Sequence, residues 1–307
     1  MKQIFQYLWK LPLCGIVFFA GMILSGAILP GLGFKSPEMP KGADANTVAV
    51  YFVLGSMLLA FVISFVSRNL EANWLARWII LSELTWNFGV AGMVLDSMLF
   101  MTTGAVSSIT NMLFTLLSFL PSFLLLSAMV AMLFPPKAPQ EPCLDCLRNY
   151  FGGWKPIQWI WRLGCAVLAY PLVYFTFGLL VNPFVQKFYA PGQYELSLPN
   201  WDQLIPLQLA RSFLFLLVSL PVLAWWRGSK KELWLHLGAS IFILTALMAV
   251  ITSYWFPWEL RLFHGLELLA DALVYSGALA VLLWNGEKLR VGRKGNLLKR
   301  TVLANVI

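Results

Sequence analysis

Eight stretches of nearly unbroken apolar residues divide this chain, at about 11–30, 48–67, 75–96, 108–134, 157–181, 205–226, 233–256 and 260–284. A helix needs roughly 20 apolar residues to cross the hydrocarbon core of a bilayer. The pattern therefore predicts an all-α polytopic integral membrane protein with eight transmembrane helices. Pro121, Pro171, Pro221 and Pro257 lie inside or beside four of the runs. Neighbouring helices satisfy the backbone groups that such prolines free. Composition agrees: 59% of the 307 residues are hydrophobic and 12% charged, against about 25% charged in an ordinary soluble domain. Too little polar sequence remains to cover a soluble core.

Lysine and arginine set the orientation, because cytoplasmic connections carry the excess. Lys2, Lys10, Arg68, Arg77, Lys137, Arg148, Lys155, Arg162, Arg227, Lys230, Lys231 and six residues after Trp284 place 17 of the 22 basic residues on one side. Lys35, Lys41, Lys187, Arg211 and Arg261 are left for the other. Both termini are expected to be cytoplasmic, in a plasma membrane of bacterial type. The net charge of +8 is then mainly a topology signal. Spread over five segments, it argues against nucleic acid as a partner. The tail beyond Trp284 (Lys288, Arg290, Arg293, Lys294, Lys299, Arg300) is the one dense cluster. Attraction to anionic lipid, about 1 kcal/mol per basic residue near the surface, accounts for it. The first apolar run is too long for a signal peptide and no cleavage site follows, so it counts as a helix.

The order of elements looks doubled. In each half a helix ends near a proline (Leu29-Pro30, Asn182-Pro183) and a longer outside loop follows. Next come a helix, a short basic turn (Arg68–Asn73, Arg227–Glu232), a helix, a brief turn and a last helix, with Trp74 and Trp234 matching after the turns. The expected division is a first four-helix half over 1–136, a Pro/Gly-rich cytoplasmic linker over 137–156, a second half over 157–285 and a basic tail over 286–307. Two parallel repeats of this kind are one symmetry used by transporters.

Candidate chemistry concentrates in the last helix. Arg261, His264, Glu267, Asp271 and Tyr275 fall within a stripe roughly 120° wide on a helical wheel. Ionisable groups at membrane depth are costly and usually functional. Asp271, ten residues below Arg261, lies about 15 Å deeper. Two such carboxylates need a partner, or one takes up a proton. Arg211 is the expected partner and His264 a bridge or proton shuttle. Glu83, with Asn87 one turn on, is a second buried acid, whereas Asp96 ends its helix at the outside surface. The competing explanation is an ion-pair network that only fixes packing.

Cys143 and Cys146 have the spacing of a zinc or redox pair, and Cys14 and Cys165 lie near the same face. A four-thiolate site is the remote option, since helix-borne cysteines usually pack as small hydrophobes. Two histidines exclude bis-histidine haem chemistry across several helices and a three-histidine metal centre. No nucleophile elbow, zinc-protease motif or phosphate-cradling glycine loop occurs. No metal or cofactor is expected, and the pattern names a class of protein rather than a family. The favoured role is transport or binding of a small solute or ion through a polar cavity between the halves. Two alternatives stand beside it: an enzyme acting on a lipid-linked substrate at the outer face, and an assembly subunit whose polar stripe faces another protein.

Overall fold

The computed structural model describes residues 2–36, 39, 42–101, 108–137, 143–190, 194 and 196–286. The basic tail from residue 287 and the centre of the linker lie outside them. Helices α1 (Lys2–Gly31), α2 (Ala45–Asn69), α3 (Trp74–Phe100) and α4 (Ile109–Leu133) form the first half. A short helix α5 (Cys143–Phe151) precedes α6 (Pro156–Val185), α7 (Trp201–Trp225), α8 (Lys230–Thr252) and α9 (Trp258–Leu283). All but α5 are long and apolar enough to cross a membrane. The chain is an all-α multi-pass membrane protein.

Local chemistry explains the helix limits. Asp44, Asn73, Ser108 and Ser229 cap the starts of α2, α3, α4 and α8 by accepting from backbone N–H groups, as short polar side chains do at helix N-termini. The Thr47 backbone and hydroxyl bonded to Asp44 hold its carboxyl below the usual range. α4 breaks at Phe119, just ahead of Leu120-Pro121, where proline removes an N–H and crowds the preceding turn. The linker was expected to be loop throughout. Instead α5 forms in the stretch free of proline and glycine, burying Cys146 and Tyr150, one turn apart, against the bundle. Burial pushes the Tyr150 phenol up from its ordinary range, and its hydroxyl donates to Leu283 O at 3.0 Å.

The two halves share a register. Ala45–Asn69 corresponds to Trp201–Trp225, and Trp74–Trp86 corresponds to Lys230–Phe242, a shift of 156 residues at all four ends. Each second segment continues into a π-helical turn, Asn87–Ala91 in α3 and Ile243–Leu247 in α8, again shifted by 156. Side chains follow suit. Trp78 Nε1–H donates to Leu124 O at 2.9 Å, and Trp234 Nε1–H donates to Leu273 O at 2.8 Å. The counterpart of Trp234 is thus Trp78, one turn beyond the Trp74 that loop position alone selected.

The equivalent turns also meet each other. Leu70 and Trp226 form an antiparallel bridge. Glu71 N–H donates to Trp225 O at 3.1 Å and Arg227 N–H to Asn69 O at 3.0 Å. Arg227 Nε reaches Glu71 Oε2 at 3.0 Å. This clasp joins the halves at the face where α1 begins and α9 ends, the terminal face. At the opposite, distal face, the loop after α6 crosses to the other half: Met101 bridges Leu196, and Ser197 N–H donates to Phe100 O at 2.9 Å. The loop before α2 makes the reciprocal contact, with Asp44 N–H donating to the Tyr254 hydroxyl.

Candidate functional site

The stripe on α9 turns inward. Glu267, Asp271 and Tyr275 are buried, while Leu262, Leu266, Val274 and Val281 of the same helix face outward. The i, i+4 spacing from 267 to 271 to 275 keeps the polar groups on one side, and α6 and α8 pack against that helix. His264, nearer the distal end, is partly exposed, and its Nδ1 lies 2.9 Å from Glu267 Oε2. Gly178 of α6 makes room for the carboxylate: a Cβ there would stand 3.2 Å from Glu267 Oε1.

Arg211 enters from α7. It is 1% exposed and binds Asp96 Oδ1 at 2.5 Å. This corrects the expected pairing with Glu267 or Asp271. The partner is Asp96, which the sequence alone placed at the outside surface. The physical reason lies in helix adjacency: α7 packs on α3, whereas α9 packs on α6 and α8. The ion pair therefore joins the halves. Tyr170 and Phe215 cradle the guanidinium, with ring centres 5.2 and 5.0 Å from Cζ. Asp96, His264, Glu267 and Asp271 all lie within electrostatic reach of one another or of Arg211. Tyr174 and Tyr189 lie within electrostatic reach of Asp96 and Glu267.

Three polar groups at this locus remain unsatisfied. Both carboxylate oxygens of Asp271 are buried without a hydrogen-bond partner. So are the amide oxygen and nitrogen of Gln208, fully buried one turn from Arg211 on α7. The Tyr275 hydroxyl is buried beside Ser212, whose own hydroxyl donates to Val167 O at 2.6 Å. Nearly every buried polar group in a folded protein is paired, so several orphans at one site mark a place built for something further.

The other candidates separate from this cluster. Glu83, expected to be buried, is exposed on the outside of the bundle, because Ile80, Leu81, Leu84 and Thr85 take the inward face of α3. Asn87 donates to the Glu83 backbone carbonyl at 2.8 Å. Arg261 turns out of the stripe and donates to Phe256 O and Val250 O, closing the connection from α8. Cys14 is buried in the core, Cys165 is exposed, and Cys146 donates to Ala224 O while accepting from Arg227. Among the described residues no group of three potential metal ligands forms, so Cys14, Cys146 and Cys165 are not brought together; the side chain of Cys143 lies outside the described residues.

Asp96, Gln208, Tyr170 and Tyr174 are the members that sequence reasoning missed. Gln208 carried a usable signal: a polar amide three residues before a buried arginine on an apolar helix. The tyrosines carried none, since aromatic residues in an apolar run read as core. No family model, no curated protein and no solved structure matches the chain.

Proposed function

We propose that this protein is a duplicated carrier that binds a small polar solute or ion from the distal side, at a site between its halves. The carrying observation is the orphaned polar set of Asp271, Gln208 and Tyr275 beside a neutralised Arg211–Asp96 pair. Such groups are costly at membrane depth unless a ligand supplies their partners. Three carboxylates face one guanidinium and one imidazole, a balance that suits a cation or a solute bearing an amine. Asp271, thirteen residues into α9, lies about 20 Å along the helix, near the middle of the span. Partly exposed His264 and Asp96 mark the approach from the distal face.

The register between the halves supports function over a mere packing lock. The position equivalent to Arg211 is Gly55, that of Asp96 is Thr252, and that of Gln208 is Phe52. In that copy Met248 fills the space, since a Cβ at Gly55 would stand 2.3 Å from its Sδ. The same helix geometry is thus built without the ion pair. The basic terminal face, with both chain ends, is cytoplasmic in this reading.

The test is uptake into liposomes containing the purified protein, over a panel of alkali cations, amines and amino acids. Asp271→Asn and Gln208→Leu are expected to insert normally and to lower uptake of the accepted solute by about tenfold or more, the scale of one charge-assisted hydrogen bond. Normal insertion with unchanged flux in both variants removes the carrier reading. The His264–Glu267 hydrogen bond favours a second role, acid–base catalysis on a lipid-linked substrate. In that case His264→Gln would abolish turnover while leaving binding intact.

A further inference from the structure

At the opposite end of the bundle, a cavity of about 300 Å³ opens at the terminal face between the start of α1, the end of α2 and the end of α4. Lys10, Arg68 and Lys137 line it together with Gln6, Tyr7 and the strip from Leu133 to Pro136, and among the described residues no acid lines it. Three basic residues line one hollow at the end of the bundle where α1 begins.

Protein groups consume only part of this charge. Lys10 Nζ donates to Leu133 O at 2.8 Å, capping the last turn of α4, and lies 5.0 Å from the Phe134 ring centre. The next carbonyl, Phe134 O, is already bound by Ser67 Oγ at 2.9 Å and Arg77 Nη1 at 3.0 Å. Lys137 Nζ lies 3.2 Å from Asn69 Oδ1 and 4.0 Å from Glu232 Oε1. Arg68 contributes a backbone carbonyl to Lys137 N–H at 2.9 Å and lines the hollow, where the described lining residues include no carboxylate.

The second half shows what closes such a hollow. There Arg162 occupies the role of Lys10, donating to Leu282 O near the end of α9. Its guanidinium lies 4.5 Å from the ring centre of Trp154 and 4.7 Å from that of Trp161. Tyr150 caps Leu283 O, and Trp159 packs on Tyr150 and Trp154 at 5.4 and 4.9 Å. Aromatics from α5 to the start of α6 thus fill the corresponding place in the second half, whereas among the described residues the place in the first half is open and basic.

We infer that the first-half hollow binds a phosphate group, the phosphodiester of an anionic lipid headgroup or a free phosphate ester. Arg68 would offer its planar fork to two phosphate oxygens, and Lys10 and Lys137 would flank it as point charges. Leu133 and Phe134 form an apolar floor at the depth of a lipid's glycerol and first methylenes. Basic pockets between transmembrane helices hold headgroups in this way. The site is independent of the carrier locus and stands if that reading fails.

The test uses the full chain in phosphatidylcholine nanodiscs doped with phosphatidylglycerol, with lipid retention read by native mass spectrometry after release. The wild type is expected to retain phosphatidylglycerol selectively. Arg68→Gln and Lys10→Gln should each lower that retention roughly tenfold, and Arg68→Lys should lose much less. Comparison with the wild type removes any contribution of the basic tail. A phosphate-dependent rise in melting temperature in pure phosphatidylcholine, absent in Arg68→Gln, would assign the site to a free phosphate ester. Equal phosphatidylglycerol retention by wild type and both glutamine variants, with no phosphate effect, would overturn the inference.

Discussion

Asp96 and Arg211 show how a single buried charge divides stability from function. Asp96→Ala leaves a guanidinium that is 1% exposed without its carboxylate. Breaking a buried pair from one side costs about 3 kcal/mol or more, because the remaining charge is stranded. The double variant Asp96→Leu with Arg211→Leu removes both charges and should recover most of the lost thermal stability, measured by melting in detergent. Solute binding should stay absent in the double variant. If it binds like the wild type, the pair is only a packing device. Glu267 and Asp271 were legible in the sequence because acids inside an apolar run are conspicuous whatever the fold. The partner of Arg211 was not, because pairing depends on which helices are neighbours and how each is rotated about its axis. Glu83 illustrates the same limit, an acid on a strongly apolar helix that rotation turns outward.

All eight long helices were legible, since length and apolarity alone specify a span. Helix contacts are closest where small residues allow backbones to approach. Gly21 of α1 is such a point: a Cβ there would stand 2.4 Å from the Ser122 Cα of α4. Backbone has no rotamer with which to yield, so Gly21→Val should force α1 and α4 apart and lower the melting temperature by several degrees, through overpacking of about 1–3 kcal/mol. Gly26, one turn and a half further along the same helix, has open space around it, and Gly26→Val should be close to neutral. Similar losses in both variants would place α1 elsewhere. The π-helical turns of α3 and α8 left no mark that periodicity can read. They become visible only as a matched pair, each inserted at the same point of its half.

For the molecule as a whole, the clasp of Leu70 with Trp226 and of Glu71 with Arg227 fixes how the halves meet at the terminal face. A carrier whose halves rock about a central site must loosen this contact in every cycle. Directly opposite residues of an antiparallel bridge have Cα atoms about 4.5–5.5 Å apart, within the span of a disulfide. With the four native cysteines replaced, Leu70→Cys combined with Trp226→Cys should cross-link on oxidation. Solute uptake in liposomes should then stop and return with a reducing agent. Full uptake in the oxidised protein would mean that the halves work as one rigid block. The order of loops suggested a doubling that residue identities do not display, and it paired Trp234 with Trp74 where the element spacing pairs it with Trp78. What persisted is spacing: from Ala45 to Ala91 neither copy has gained or lost a residue against the other. A half-length forebear with that spacing would have assembled as a parallel homodimer with two identical mouths. Fusion of two such copies would release each mouth from its twin's constraints, leaving one free to fill with Met248 and the other to collect charge.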